Sequence, residues 1–248
     1  MASSSAIAST TAITTLDGSQ GVVAPAGELN AGSSAAITSN TALSSNGSLE
    51  LTGDRTRVLN GNNYVPNMNY GSANSLVSLT GDFLVLDGGG NAAGSAGIQS
   101  PAFRVYVQDG GQRSELIWEA AYNGGYTVGA ASSVTASGLF WQYIAGSGPT
   151  FLPSTSTYVL HTASDWGALY SSDAFISAFG VGDGSGAGND FHALADNVTL
   201  TTRAGSQGYD FQAAAAAPEP ASWAMMVGGF GLIGFAMRRR QQAKVTFA

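Results

Sequence analysis

The chain contains no cysteine. Disulfides, thiolate metal sites and a cysteine nucleophile are therefore excluded. Lysine is absent before Lys244, so residues 1–217 set five arginines against fifteen carboxylates, 5 − 15 = −10. Such a charge repels the phosphates of nucleic acid, which need basic contacts, and no nucleic-acid partner is expected. There is no Gly-x-Ser-x-Gly elbow, which argues against a serine hydrolase of that type. Histidine occurs only at His161, on a strand, and His192, after a glycine loop. Both read as ordinary surface or core residues. No segment of residues 1–217 has a convincing helical period. A leader is also missing: Met1 to Thr15 is rich in Ser, Thr and Ala, without a basic residue or an apolar run. An exported protein begins with both, so a leader is expected in frame upstream of Met1.

What is present is small and β-prone. Gly alone contributes 34 of 248 residues, which favours turns and short strands. Residues 1–48 are poor in aromatics and read as a low-complexity, largely loose segment, with Val22-Val23 able to pair at a sheet edge. Thr52 to Asn74 is dense in turn residues. From Ser75, short apolar runs alternate with glycine. Leu76 to Leu79 and Phe83 to Leu86 flank Gly81-Asp82, and Asp87 to Gly97 is a glycine loop. Phe103, Val105 and Val107 alternate with Arg104 and Tyr106, the period-2 pattern of a half-buried strand. Similar patterns surround Leu116-Trp118, Leu139-Trp141-Tyr143, Phe175-Ser177-Phe179 and Phe191-Ala193-Ala195, with shorter runs at Tyr158-Val159-Leu160 and Val198-Thr199-Leu200. About eight or nine strands and no helix predict a mainly β ectodomain over 49–212, an antiparallel, jelly-roll-like β-sandwich.

Candidate binding residues follow from three patterns. Gly186 to Phe191 resembles one calcium-binding glycine repeat, but such sites need stacked copies. Asp183 and Asp190 in that loop, and Asp196 in a segment resembling the closing strand of binding sandwiches, remain candidates for structural Ca2+, the one cofactor considered. Glu115 and Glu119 share a face under strict alternation, as a paired-carboxylate glycosidase would need, yet an outward-facing charge is the ordinary explanation. No enzyme is expected. Aromatics crowd one third of the chain. Trp118 and Trp141 read as core, whereas Trp166 sits in the polar stretch His161-Thr162-Ala163-Ser164-Asp165-Trp166-Gly167 and is the candidate for stacking on a sugar. Thr155-Ser156-Thr157 is the one Thr-x-Thr of the kind a flat ice-binding array would repeat.

The C-terminus has a different character. An Ala spacer, 213–217, leads to Pro218-Glu219-Pro220. An uncharged run from Ala221 to Met237 follows, then Arg238-Arg239-Arg240 and a tail, 241–248. As a helix, 221–237 measures about 25 Å at about 1.5 Å per residue, at the lower edge of the ~17–25 residues that cross a bilayer. The arginines place the tail in the cytoplasm and the ectodomain outside, with Trp223 at the outer headgroup layer. Gly228, Gly231 and Gly234 smooth one helix face.

This stretch resembles the PEP-CTERM sorting signal. Pro218, Glu219 and Pro220 match its motif. Trp223, Ala224, Met225 and Met226 match a variant also catalogued as an ice-binding protein C-terminal domain. Gly229-Phe230-Gly231 and Arg238 to Arg240 match the rest. The resemblance implies a Gram-negative bacterium and an exosortase, a membrane cysteine peptidase that processes the tail near the proline motif. It also implies residence at the cell surface or in the exopolysaccharide matrix. The expected function is that of an exported structural or adhesion protein, first anchored in the cytoplasmic membrane. Its expected partners are the exosortase, the membrane and exopolysaccharide; the alternatives are a carbohydrate-binding module and, behind it, an ice-binding protein or a hydrolase.

Overall fold

The computed structural model describes residues 7–40, 43, 46–62, 64–65, 67–88, 99–214 and 220–242. The chain forms two compact units, 1–213 and 214–248. In the first, the strands are β1 (Ile7–Ile13), β2 (Val22–Val23), β3 (Ser34–Thr38), β4 (Ser48–Thr52), β5 (Arg57–Gly61), β6 (Leu76–Gly88), β7 (Ala102–Asp109) and β8 (Gln112–Trp118). They continue as β9 (Ala131–Val134), β10 (Leu139–Ile144), β11 (Gly148–Pro149), β12 (His161–Thr162), β13 (Phe175–Gly182), β14 (Phe191–Thr202) and β15 (Gly205–Phe211). One short helix, α1 (Ala163–Leu169), interrupts them.

The strands build a seven-stranded and an eight-stranded sheet, a mainly β, sandwich-like fold. β14 is the axis of the first. One edge pairs with β6, which also carries β9. The other edge pairs with β4 through residues 192–195 and with β15 through 198–202. The change of partner falls at a bulge, where Asn197 adopts a left-handed φ of 54°. Asp196 is completely buried there. Its Oδ1 accepts the backbone N–H groups of Asn197 and of Phe211 on β15, each at 2.8 Å. The second sheet runs β11-β10-β8-β7-β13-β5-β2, with β12 also on β10. Between the sheets, Phe83, Phe103 and Trp118 form an edge-on aromatic group, and Phe179 stacks on Tyr209 at 5.4 Å.

Several expectations need correction. The described part of residues 1–48 is not loose, because β1, β2 and β3 all enter the sheets, Val22-Val23 at an edge as anticipated. Not every pairing is antiparallel: β1 runs parallel to β15 over seven residues. The runs on either side of Gly81-Asp82 are one strand, β6. Val198 to Leu200 does not close the domain but continues β14, and β15 closes it. Tyr158-Val159-Leu160 makes only an isolated bridge, to Phe151. The glycine loop beyond Gly88 lies outside the described residues up to Ile98.

The second unit contains α2 (Pro220–Gln242), a helix of 23 residues. Its side chains are described from Met225 to Arg238, all exposed. Among the described residues no helix is long and apolar enough to cross a membrane.

β7 departs from the usual sandwich strand. Phe103, Val105 and Val107 face the core, yet Arg104, Tyr106 and Gln108 on the opposite face are buried too. Something covers the outer surface of the eight-stranded sheet.

Candidate functional site

The cover is a cluster of charged and aromatic side chains around a cleft of about 470 Å³. Its floor comes from adjacent strands, because alternation and register turn the same parity outward. Glu115 on β8 stands opposite Tyr106 on β7 and Tyr143 on β10; Ile117 stands opposite Arg104 and Trp141. Arg57 extends the row from β5, and Arg55, Tyr64, Tyr158 and Gly184 close the rim.

Two buried carboxylates organise the cluster. Glu28 meets Arg57 at 2.8 Å and Arg55 at 3.2 Å. Glu115 meets Arg113 at 2.8 Å, Arg104 at 3.3 Å and Arg57 at 4.0 Å. Arg113 also lies over the Tyr64 ring at 4.8 Å. A third carboxylate, Glu119, is half-buried and accepts the Trp141 indole N–H at 3.1 Å. Burial raises its pKa above the ordinary value of 4.5, against the opposing pull of Arg104 and the Trp141 hydrogen bond.

That shift has a consequence for stability. A carboxyl whose folded pKa is raised contributes stability that is complete below the unfolded value and is lost as pH rises through the folded value. Glu119→Gln should therefore be more stable than the wild type at pH 7, with the difference closing below about pH 4.5. Thermal melts across pH check this, and a variant less stable at pH 7 would show that Arg104 needs the charge.

Aromatic rings line one side. Trp141 stacks on Tyr158 at 4.7 Å and 10°, and Phe151 stacks on Tyr158 at 5.2 Å and 15°. Trp141 is thus part of a cleft wall, not the core residue that alternation suggested, whereas Trp118 is core as expected. Glu115 and Glu119 do line the same cleft.

Trp166 is not the sugar-facing residue its polar neighbours suggested. It lies in α1, is 4 % exposed, and donates its indole N–H to the Phe140 carbonyl at 2.7 Å. Thr162 caps this helix by accepting the Asp165 N–H, which explains the polar sequence around it. The proposed calcium ligands do not converge. Asp183 is buried and accepts N–H groups from Arg55, at 2.9 Å, and Thr56, plus the Thr56 hydroxyl. Asp196 holds the β14 bulge, and Asp190 is exposed. The glycine loop between Asp183 and Asp190 is pinned instead by Asp54, whose Oδ1 accepts the Gly186 N–H at 2.5 Å. Among the described residues no group of three or more His, Asp or Glu side chains could hold a metal ion. Thr155 and Ser156 lie in a bend, not in a flat array.

Of the sorting residues, Pro218 and Glu219 lie outside the described residues, and Pro220 opens α2. For Pro220, Trp223, Arg239 and Arg240 the backbone alone is described; Arg238 is exposed. Residues 216–240 match the family model described as the PEP-CTERM protein-sorting motif. The C-terminal region is a PEP-CTERM sorting signal. The match marks the chain as a substrate of exosortase sorting, in keeping with the proline motif, apolar run and arginines. No curated protein matches the chain. Among solved structures, the CBM22-1 xylan-binding domain from Paenibacillus barcinonensis Xyn10C is similar. It is 21 % identical, over 71 % of this chain and 86 % of that one, with a TM-score of 0.23, too low to carry an argument.

The cleft's arginines were missed in the sequence. A signal was there: charge is sparse, yet Arg104 stands inside an apolar alternating strand, and Arg113 and Glu115 share one strand face.

Proposed function

We propose that the chain is a non-enzymatic, exported protein of a Gram-negative cell surface whose β-sandwich holds matrix polysaccharide in the cleft on its eight-stranded sheet. The PEP-CTERM signal supports the display. In this reading, residues 221–237 first anchor the chain in the cytoplasmic membrane, Arg238 to Arg240 keep the tail inside, and an exosortase then releases it.

One observation carries the binding role: the stacked rings of Trp141, Tyr158 and Phe151 beside a polar cleft floor. A sugar ring has apolar C–H faces and hydroxyl edges. Flat aromatic rings cover the first, and guanidinium and carboxylate groups bond the second. Trp141, Arg57, Arg104, Arg113 and Glu115 sit on paired strands, so little of their side-chain freedom is lost on binding.

The test is affinity electrophoresis of the full chain, in detergent, through gels containing the producing organism's own exopolysaccharide. The wild type should be retarded. Trp141→Ala should bind about tenfold more weakly, given the ~1–3 kcal/mol that stacking on one flat ring contributes in nucleic-acid binders. Free migration of the wild type would defeat the reading.

A further inference from the structure

We propose that the cleft selects polysaccharide bearing carboxylate groups over neutral polysaccharide, an inference that rests on the saccharide-binding reading above. Residues 1–217 contain five arginines, and four of them, Arg55, Arg57, Arg104 and Arg113, line this one cleft. All four are shared between two carboxylates, Glu28 and Glu115. Counting Glu119 as ionised, the cluster carries 4 − 3 = +1 within a region of net −10. Glu119 is committed to Trp141, whose indole N–H it accepts.

A guanidinium offers five N–H donors in a fork suited to carboxylate. The donors of this cluster outnumber its acceptors: the Nε atoms of Arg55, Arg57 and Arg104 have no hydrogen-bond partner. A cluster serving stability alone would match its charges, since an excess buried cation is costly. Arg55 adds an independent sign. It holds a left-handed φ of 59°, a region costly for a residue with a side chain, while its own N–H is fixed on Asp183. That geometry leaves its guanidinium at the rim, the most exposed of the four at 31 %. An incoming carboxylate would meet Arg55 first and complete a charge balance the cluster lacks.

The test compares the organism's exopolysaccharide with the same material after its carboxyl groups are reduced to alcohols, using the full chain in detergent. The native polymer should bind about tenfold more tightly than the reduced one, and raising NaCl from about 0.02 to about 0.5 M should erase most of that difference. Arg55→Gln, a rim change that leaves both buried carboxylates partnered, should weaken binding of the native polymer several-fold and that of the reduced polymer by much less, so that the ratio between the two falls. Arg203→Gln removes the same charge outside the cleft and should change neither. Equal binding of both polymers would overturn the preference and leave the saccharide-binding reading standing. Binding of neither would overturn both.

Discussion

Replacing Pro218, Glu219 and Pro220 together with alanine should leave the chain wholly unprocessed and membrane-bound. Two physical effects combine. Proline fixes φ and lacks an N–H, so this turn stops the helix from extending upstream. α2 does begin at Pro220, the first helical position that proline tolerates. With alanine at all three positions, the helix would extend toward the Ala spacer, and the extended segment a peptidase grips would be lost. In the proposed anchoring, Glu219 would also hold this segment in the aqueous layer, since an ionised carboxylate costs about 2.5–3.5 kcal/mol or more at the bilayer centre. The arginines act separately: Arg238, Arg239 and Arg240 changed to Gln should impair orientation before any processing. A mass-sensitive blot of membrane and extracellular fractions, in hosts with and without exosortase, reads both effects. Full-length chain still carrying Ala248 on the surface of the competent host would sink the sorting mechanism and leave a plain anchor.

The strands legible in sequence were those whose own residues supply the core: β7, β10 and β13 bring Phe103, Val105, Phe140 and Phe179, and their alternation was plain. β1 and β15 were not legible. Their Ser, Thr and Gly residues offer little apolar contrast, and they are strands because they pair with each other and β14. β14 was read as two pieces because its bulge at Asp196-Asn197 breaks the period of two. The Trp166 misreading has a similar cause. Thr162 and Asp165, which bond each other at 2.8 Å, form a helix cap, and in sequence a cap is as polar as an open loop. The cleft could not be assembled from local pattern at all. Read alone, the arginines are outward charges on three separate segments, Arg55 with Arg57, Arg104, and Arg113. Only the register of β5, β13, β7 and β8 brings them to one place.

Glu115→Gln should be among the most destabilising single changes in the sandwich, costing about 3–5 kcal/mol. The Glu115 side chain is 4 % exposed, and it is the carboxylate shared by Arg57, Arg104 and Arg113. Arg104, itself 3 % exposed, has no other ion-pair partner among the described residues. A glutamine keeps the shape but turns an acceptor of these donors into a neutral group with two donors of its own. The guanidiniums cannot neutralise by losing a proton, because arginine stays charged at any ordinary pH. They must stay buried and uncompensated, or pull out toward solvent. Urea denaturation of the full chain would show a lower midpoint. The companion double change, Glu115→Leu with Arg104→Met, should recover much of the loss, since removing a buried pair together costs far less than breaking it. It should leave the preference for carboxylated polymer in place, because it removes one cleft arginine and one carboxylate and so keeps the excess of one positive charge. If Glu115→Gln unfolds within about 0.5 kcal/mol of wild type, as an ordinary surface change does, the cluster is solvated and weakly coupled. The excess positive charge assigned to the cleft would then be screened by water rather than held for a ligand.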